Sequence, residues 1–218
     1  MKHKTLLIGA VVVLLLTFVV ATLVYKTEKL DQSAQLAAAN SAALVRMHSP
    51  TLGRTDAPVV IVEFIDPACE TCAALYPLVK GLMAEHPGKI RLVMRYAPFH
   101  EGSDKVVAML EAARLQGKLW PALEALLATQ HSWVPHHKVQ VAQVWPHLES
   151  LGLNLEQLRA DMLAPTIAQM IAQDLADADT LKVSKTPEFF VNGKPLPRFG
   201  FDQLKKLVDE ALKDTQRR

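Results

Sequence analysis

The sequence predicts an α/β domain behind an N-terminal apolar helix, and three observations lead there. A β-branched run, Val59-Val60-Ile61-Val62-Glu63-Phe64-Ile65, is followed by a helical stretch and a second strand-like run, Lys89–Tyr96. About eighty residues of helical periodicity come next, a plausible scale within one compact unit. The chain then returns to strands around Asn192-Gly193, the strongest short hairpin signal, and closes with an amphipathic helix.

Taken in chain order, residues 1–25 read as a signal anchor or signal peptide. Lys2 and Lys4 precede Leu6–Val24, an apolar run interrupted only by Gly9, Ala10, Thr17, Ala21 and Thr22. That run approaches the ~20 residues that cross a bilayer as a helix, and exceeds the about 7–15 of a secretory core. Val19-Val20-Ala21 would suit a cleaved form; length favours the anchor. Residues 26–50 are polar and Ala-rich, with a thin stripe of Leu30, Leu36 and Leu44. They read as a linker, with a short oligomerisation helix as the alternative.

The domain's first half occupies residues 51–102. Asp56-Ala57-Pro58 leads into the strand Val59–Ile65, whose continuous apolar character predicts burial on both faces. A helix follows over Thr71–His86, with Pro77 inside it and Pro87-Gly88 closing it. Lys89–Tyr96 returns as a parallel strand through a right-handed crossover. Residues 103–183 form an inserted helical subdomain, with helices over Lys105–Gln116, Leu119–Gln130, His137–Leu151, Leu155–Met162 and Thr166–Leu181. Residues 184–218 supply the strands Thr186–Val191 and Lys194–Phe199 and the helix Phe201–Asp214. Strand–helix–strand, helical insert, hairpin and helix is the order of a thioredoxin fold with an insert.

Lys and Arg number 24 against 22 Asp and Glu, and Lys2 and Lys4 account for the excess. A formally neutral remainder carries no electrostatic footprint for nucleic acid. The chain has 2 cysteines. They are Cys69 and Cys72, in Cys69-Glu70-Thr71-Cys72 at a strand-to-helix junction. Unpaired N–H groups at the helix start and its partial positive charge stabilise a thiolate on Cys69. Zinc would need two more ligands, and no second C-x-x-C or close H-x₃-H supplies them. The pair therefore reads as redox-active.

Cys69-Glu70-Thr71-Cys72 after the first strand, the helical insert after the second, and Thr186-Pro187 just before Phe189-Phe190-Val191-Asn192-Gly193-Lys194 together resemble the DsbA-like thiol:disulfide oxidoreductases of the thioredoxin superfamily. The resemblance covers roughly residues 50–214. It implies a cis peptide before Pro187 beside the cysteine pair, and a nucleophile at Cys69 resolved by a more buried Cys72. Thr186 and Pro187 then offer backbone groups to an extended substrate. The superfamily commonly places a buried acid where Glu63 stands, six residues before Cys69. A carboxyl among apolar neighbours has a raised pKa and suits a proton shuttle for Cys72. Asp66, before Pro67, is explained by turn chemistry alone.

Between the cysteines the familiar oxidants of this family carry Pro-His, and this chain has Glu70-Thr71. A carboxylate next to the sulfur is expected to keep the Cys69 pKa higher than a histidine would, making a weaker oxidant. The expected activity is thiol:disulfide exchange with exported protein thiols, needing no cofactor and no metal. Its expected setting is a bacterial periplasm or cell envelope, where disulfide chemistry occurs, with residues 5–25 in the inner membrane and the domain outside. A membrane redox partner is implied: a quinone-linked oxidase for a disulfide donor, or a thiol-relay reductase for the reverse direction. A reductase or isomerase serving cytochrome or copper-protein maturation is one rival. A metal-binding or holdase module using His131, His136 and His137 near Trp133 is the other.

Overall fold

The computed structural model describes residues 2–217. Five strands form one mixed sheet in the order β1-β3-β2-β4-β5. They are β1 (Thr51–Leu52), β2 (Val59–Ile65), β3 (Ile90–Tyr96), β4 (Glu188–Val191) and β5 (Lys194–Pro195). β2 and β3 run parallel, with Glu63 opposite Met94, while β4 lies antiparallel on the other side of β2, with Glu63 opposite Phe189. Glu63 thus sits at the centre of the sheet. The helices are α1 (Lys2–Ala39), α2 (Ser41–Leu44), α3 (Glu70–Glu85), α4 (Ser103–Leu115), α5 (Leu119–Ala128), α6 (Gln130–Trp133), α7 (Val141–Glu149), α8 (Leu155–Asp161), α9 (Pro165–Thr180) and α10 (Phe201–Gln216). This is the thioredoxin fold with the expected helical insert, α4 to α9, between β3 and β4.

The period-2 alternation of β2 divides the core into two layers. Val59, Ile61 and Ile65 join Leu92, Met94, Phe189 and Val191 against α3, α10 and the insert. Val62 and Phe64 join Val93 and Phe190 on the opposite face, under Ala37, Ala43, Leu44, Ala178 and Leu181. Glu63 is in step with Ile61 and Ile65, so its side chain belongs to the α3 face.

That second layer changes the reading of residues 26–50. Helix α1 runs on unbroken through Lys26 to Ala39, and Ala37 and Leu44 are packed into the core. The segment after α2 is further fastened by charge. Arg95, fully buried on β3, reaches Asp174 Oδ1 at 2.7 Å and Asp177 Oδ2 at 2.6 Å on α9. Arg46 and His48 pair with the same two carboxylates, and Arg95 also donates to the Ala43 carbonyl. A polar, Ala-rich composition signals a spacer; only the assembled sheet supplies the face that these small residues cover.

Three further elements differ from the sequence expectation. β1, an antiparallel edge on β3, is too short to carry a periodic signal. β5 stops at Pro195 instead of Phe199, because Pro195 and Pro197 have no N–H to continue a ladder. The helix expected over His137–Leu151 starts only at Val141. Pro135–His137 forms a 3₁₀ turn in which His136 and His137 take φ of 53° and 60°. The Asn192-Gly193 turn has both residues at positive φ, 46° and 81°, as a two-residue hairpin loop needs.

α1 has a stretch, Ala10–Ala39, long and apolar enough to cross a membrane, with a mean hydropathy of 2.2 in its most apolar window and none of that window buried. Leu14, Leu16 and Phe18 are among its exposed side chains.

Candidate functional site

β2 ends at Ile65, and Asp66-Pro67-Ala68 turns the chain so that Cys69 caps α3 and Cys72 lies on its first turn. The Cys69 amide donates to the Asp66 carbonyl at 3.0 Å, closing the turn. Both sulfurs are free thiols. Cys72 is fully buried, and Cys69 is nearly so at 7% exposed, which leaves its sulfur as the one a partner can reach.

The two thiols have opposite environments. The Cys72 side chain hydrogen-bonds to Cys69 and, against the opposing effect of burial, pulls its pKa down to about 5. A hydrogen bond with Thr186 and the N–H groups of Cys72 and Thr71 contribute in the same direction. Burial pushes Cys72 far up, helped by that same hydrogen bond and by the charges of Glu63 and Cys69. At neutral pH the site therefore holds a Cys69 thiolate beside a Cys72 thiol. Thr71 enters through its backbone. Glu70 is exposed on the first turn and is not among the groups that shift Cys69. Exposure to water weakens the field of its carboxylate at the Cys69 sulfur.

Glu63 is fully buried, and among the described residues neither of its carboxyl oxygens has a hydrogen-bond partner. Burial first, and the Cys69 charge second, raise its pKa to about 8. A buried carboxyl without a partner stays protonated at neutral pH, ready to give or take one proton. Thr186–Pro187 is a cis peptide, as the resemblance implies, and the Cys69 sulfur lies 3.2 Å from the Thr186 carbonyl. Glu63, Cys69 and Cys72, close in sequence, are brought together with the distant Thr186 and Pro187.

Asp66 does more than turn chemistry required. It is fully buried and accepts from the N–H groups of Ala68, Phe99 and His100 at 2.8, 2.8 and 2.9 Å. His100 Nδ1 lies 2.7 Å from it, and the Ser103 hydroxyl donates to it as well. Gln130 Nε2 donates to the Pro67 carbonyl at 2.7 Å. The turn that carries Cys69 is thus tied both to the loop after β3 and to the insert. The signal available in the sequence was an acid directly after a buried strand. Arg95, a lone charge in the apolar run Leu92–Tyr96, is a second signal of the same kind.

The histidine cluster does not converge. His131, His136 and His137 are exposed, and Trp133 is a core residue whose indole donates to the Leu126 carbonyl at 3.0 Å. His137 stacks on His100 with ring centroids 6.3 Å apart. Among the described residues no group of three or more His, Cys, Asp or Glu side chains is placed to hold a metal.

A thioredoxin fold that presents one low-pKa cysteine beside a cis-proline loop defines the class. Residues 46–210 match the thioredoxin family, and the chain belongs to it. A solved thioredoxin-like oxidoreductase from Silicibacter pomeroyi is 35% identical and superposes with a TM-score of 0.70, covering 80% of this chain and 98% of that one. Among curated proteins, the Na(+)/H(+) antiporter NhaA of Herminiimonas arsenicoxydans is 32% identical over 144 residues, 66% of this chain. This chain spans 22% of that antiporter's length. The probable disulfide bond formation protein D of Bacillus anthracis is 28% identical across 97% of this chain and 98% of its own length.

Proposed function

We propose that this protein is an envelope thiol:disulfide oxidoreductase that exchanges disulfides with exported protein thiols. The observation that carries the reading is the placement of the pair, Cys69 at the start of α3 beside the cis Thr186–Pro187 peptide and Cys72 fully buried behind it, an arrangement that draws Cys69 down and drives Cys72 up. A thiolate that is stabilised only in the reduced protein makes the oxidised form the stronger oxidant, so the favoured direction is disulfide donation. The name carried by the Bacillus anthracis relative supports the same direction.

In that direction a substrate thiolate attacks Cys69 Sγ of the Cys69–Cys72 disulfide, and the S–S electron pair leaves on Cys72. Glu63, protonated at neutral pH, passes its proton to Cys72. A second substrate thiolate then attacks the substrate sulfur of the mixed disulfide and releases the Cys69 thiolate, a good leaving group because its pKa is low. Two electrons pass from the substrate thiols to Cys69 and Cys72. Thr186 and Pro187 present the edge on which the substrate strand aligns. Glu70 and Thr71 flank the exchange, Thr71 through its N–H. Residues 5–25 hold the protein in the inner membrane with the domain outside, where a quinone-linked oxidase restores the disulfide.

The test is a trap. In the full-length chain, Cys72→Ser is expected to accumulate a mixed disulfide when its Cys69 thiolate attacks a protein substrate offered in its disulfide form, the substrate's second sulfur leaving as a thiolate, and Cys69→Ser none. Absence of any adduct at Cys69 would refute exchange. Alkylation of acid-quenched cells then reports direction: a mostly oxidised pair fits a donor, and a mostly dithiol pair makes it a reductase served by a thiol relay.

A further inference from the structure

A groove of about 300 Å³ runs between α3 and α5, lined by Ala73, Tyr76 and Pro77 on one side and Leu127 and Ala128 on the other. Ala73, one helical turn beyond Cys69, is its lining residue nearest the active-site turn. Ala73, Pro77 and Lys80 follow Cys69 at i+4, i+8 and i+11, one stripe along the helix. The Ala73 amide donates to the Cys69 carbonyl at 3.1 Å, so the nucleophile is in helical register with this stripe. Two fastenings hold α5 and its end beside it. Gln130 is bonded to Pro67 at 2.7 Å at the active-site turn, and Lys80 Nζ to Glu124 Oε1 at 2.7 Å at the far rim. The Tyr76 hydroxyl donates to the same carboxylate at 3.4 Å.

The occupant follows from what the groove offers. Lys80 and Glu124 neutralise one another, so a ligand meets walls that are apolar and without net charge. Pro77 lies inside α3 and has no N–H, so the Ala73 carbonyl one turn back lacks its helical donor. An apolar groove with one spare backbone acceptor suits a polypeptide, which brings an N–H together with an apolar side chain. Ala73 lies about 6 Å along the helix from Cys69, and Pro77 about 12 Å. An extended chain covers that in about two to four residues.

We infer that the α3–α5 groove is a specificity subsite, which takes an uncharged apolar side chain two to four residues from the substrate cysteine bonded to Cys69. The inference rests on the exchange reading above and names the substrate class that the reading leaves open.

The experiment uses the oxidised full-length chain in detergent micelles and peptides holding one cysteine. A leucine is walked through the four positions on each side, with asparagine elsewhere. The rate at which each peptide reduces the protein is compared with the rate for dithiothreitol, too small to reach the groove. One leucine position within two to four residues of the cysteine is expected to react about tenfold faster, the effect of burying one aliphatic side chain. Ala128 is exposed on α5, and Ala128→Trp is expected to erase that preference while leaving the dithiothreitol rate unchanged. A flat leucine scan on the unaltered protein overturns the subsite and leaves exchange standing. So does a preference that survives Ala128→Trp. If neither peptide nor dithiothreitol reduces the Cys69–Cys72 pair, the exchange reading fails and the subsite with it.

Discussion

Replacing Glu63 with Gln is expected to stabilise the folded chain in a strongly pH-dependent way. Glu63 is held at about 8 in the folded protein against a normal 4.5, chiefly by burial and then by the Cys69 charge. Its folded-state pKa is raised, so the site is neutral to stability below pH 4.5 and increasingly unfavourable as pH rises through 8. At about 1.36 kcal/mol per pH unit, that amounts to about 3 kcal/mol by pH 7 and levels off near about 5 kcal/mol above pH 8. The comparison is best made in chains carrying Cys69→Ser and Cys72→Ser, which removes the thiol titrations and leaves burial, the larger cause. Urea unfolding followed by tryptophan fluorescence suits the assay, because Trp133 is fully buried. The stability gap between the Glu63→Gln chain and its parent should widen by about 3 kcal/mol from pH 4 to pH 7. An uncharged amide in the same unpartnered site brings its own fixed penalty, so the slope is the readout and not the offset. A gap that stays constant from pH 4 to pH 9 would refute the account of Glu63 as a buried, proton-holding group. In the chain with both cysteines, Glu63→Gln should also slow release of Cys72 at neutral pH.

Three other outcomes are expected. Cys72→Ala should raise the Cys69 pKa above 5, because the Cys72 side chain is the largest contributor to the lowering; thiolate absorbance against pH measures it, and Glu70→Gln should leave the titration in place. Asp66→Asn removes one of the two carboxyl oxygens that His100, Ser103 and three backbone N–H groups share. A loss of about 2–4 kcal/mol in unfolding free energy is expected, with slower exchange at Cys69, and a variant as stable and fast as the parent would contradict the brace. Asp174→Ala leaves Arg95 buried with only Asp177 and the Ala43 carbonyl as partners and should cost about 3–5 kcal/mol, whereas joint replacement of Arg95 and Asp174 by apolar residues of similar volume should recover much of that loss.

How legible the site was depended on how local its signals are. The Cys69-x-x-Cys72 spacing, the strand before it and the hairpin after Pro187 are each contained in a few consecutive residues, so their order could be read directly. Glu63 was legible because a carboxylate among Val62, Phe64 and Ile65 contradicts its surroundings. Asp66 was not, because Asp-Pro is also ordinary turn chemistry; its partners at Phe99, His100 and Ser103 lie more than thirty residues away. The pull on Cys69 shows the same limit. Adjacency in sequence drew attention to Glu70, whose side chain is exposed on the helix's first turn, while Cys72 turns back toward Cys69 as its strongest neighbour.

By itself, then, the sequence determined the α/β class, the order of strand, insert and hairpin, the apolar N-terminal helix and the redox pair. These follow from periodicity, turn residues and spacing, which act over a few bonds. The tertiary structure decided what needs elements distant in the chain: Ala37 and Leu44 sealing the second face of the sheet, Arg95 locked to α9, Asp66 bracing the nucleophile's turn, and a groove beside α3 that opens only where α5 is held against it. Packing brings those groups together, and burial in that packing governs Cys72 and Glu63, whereas Cys69 is governed chiefly by its hydrogen bond with Cys72, against burial.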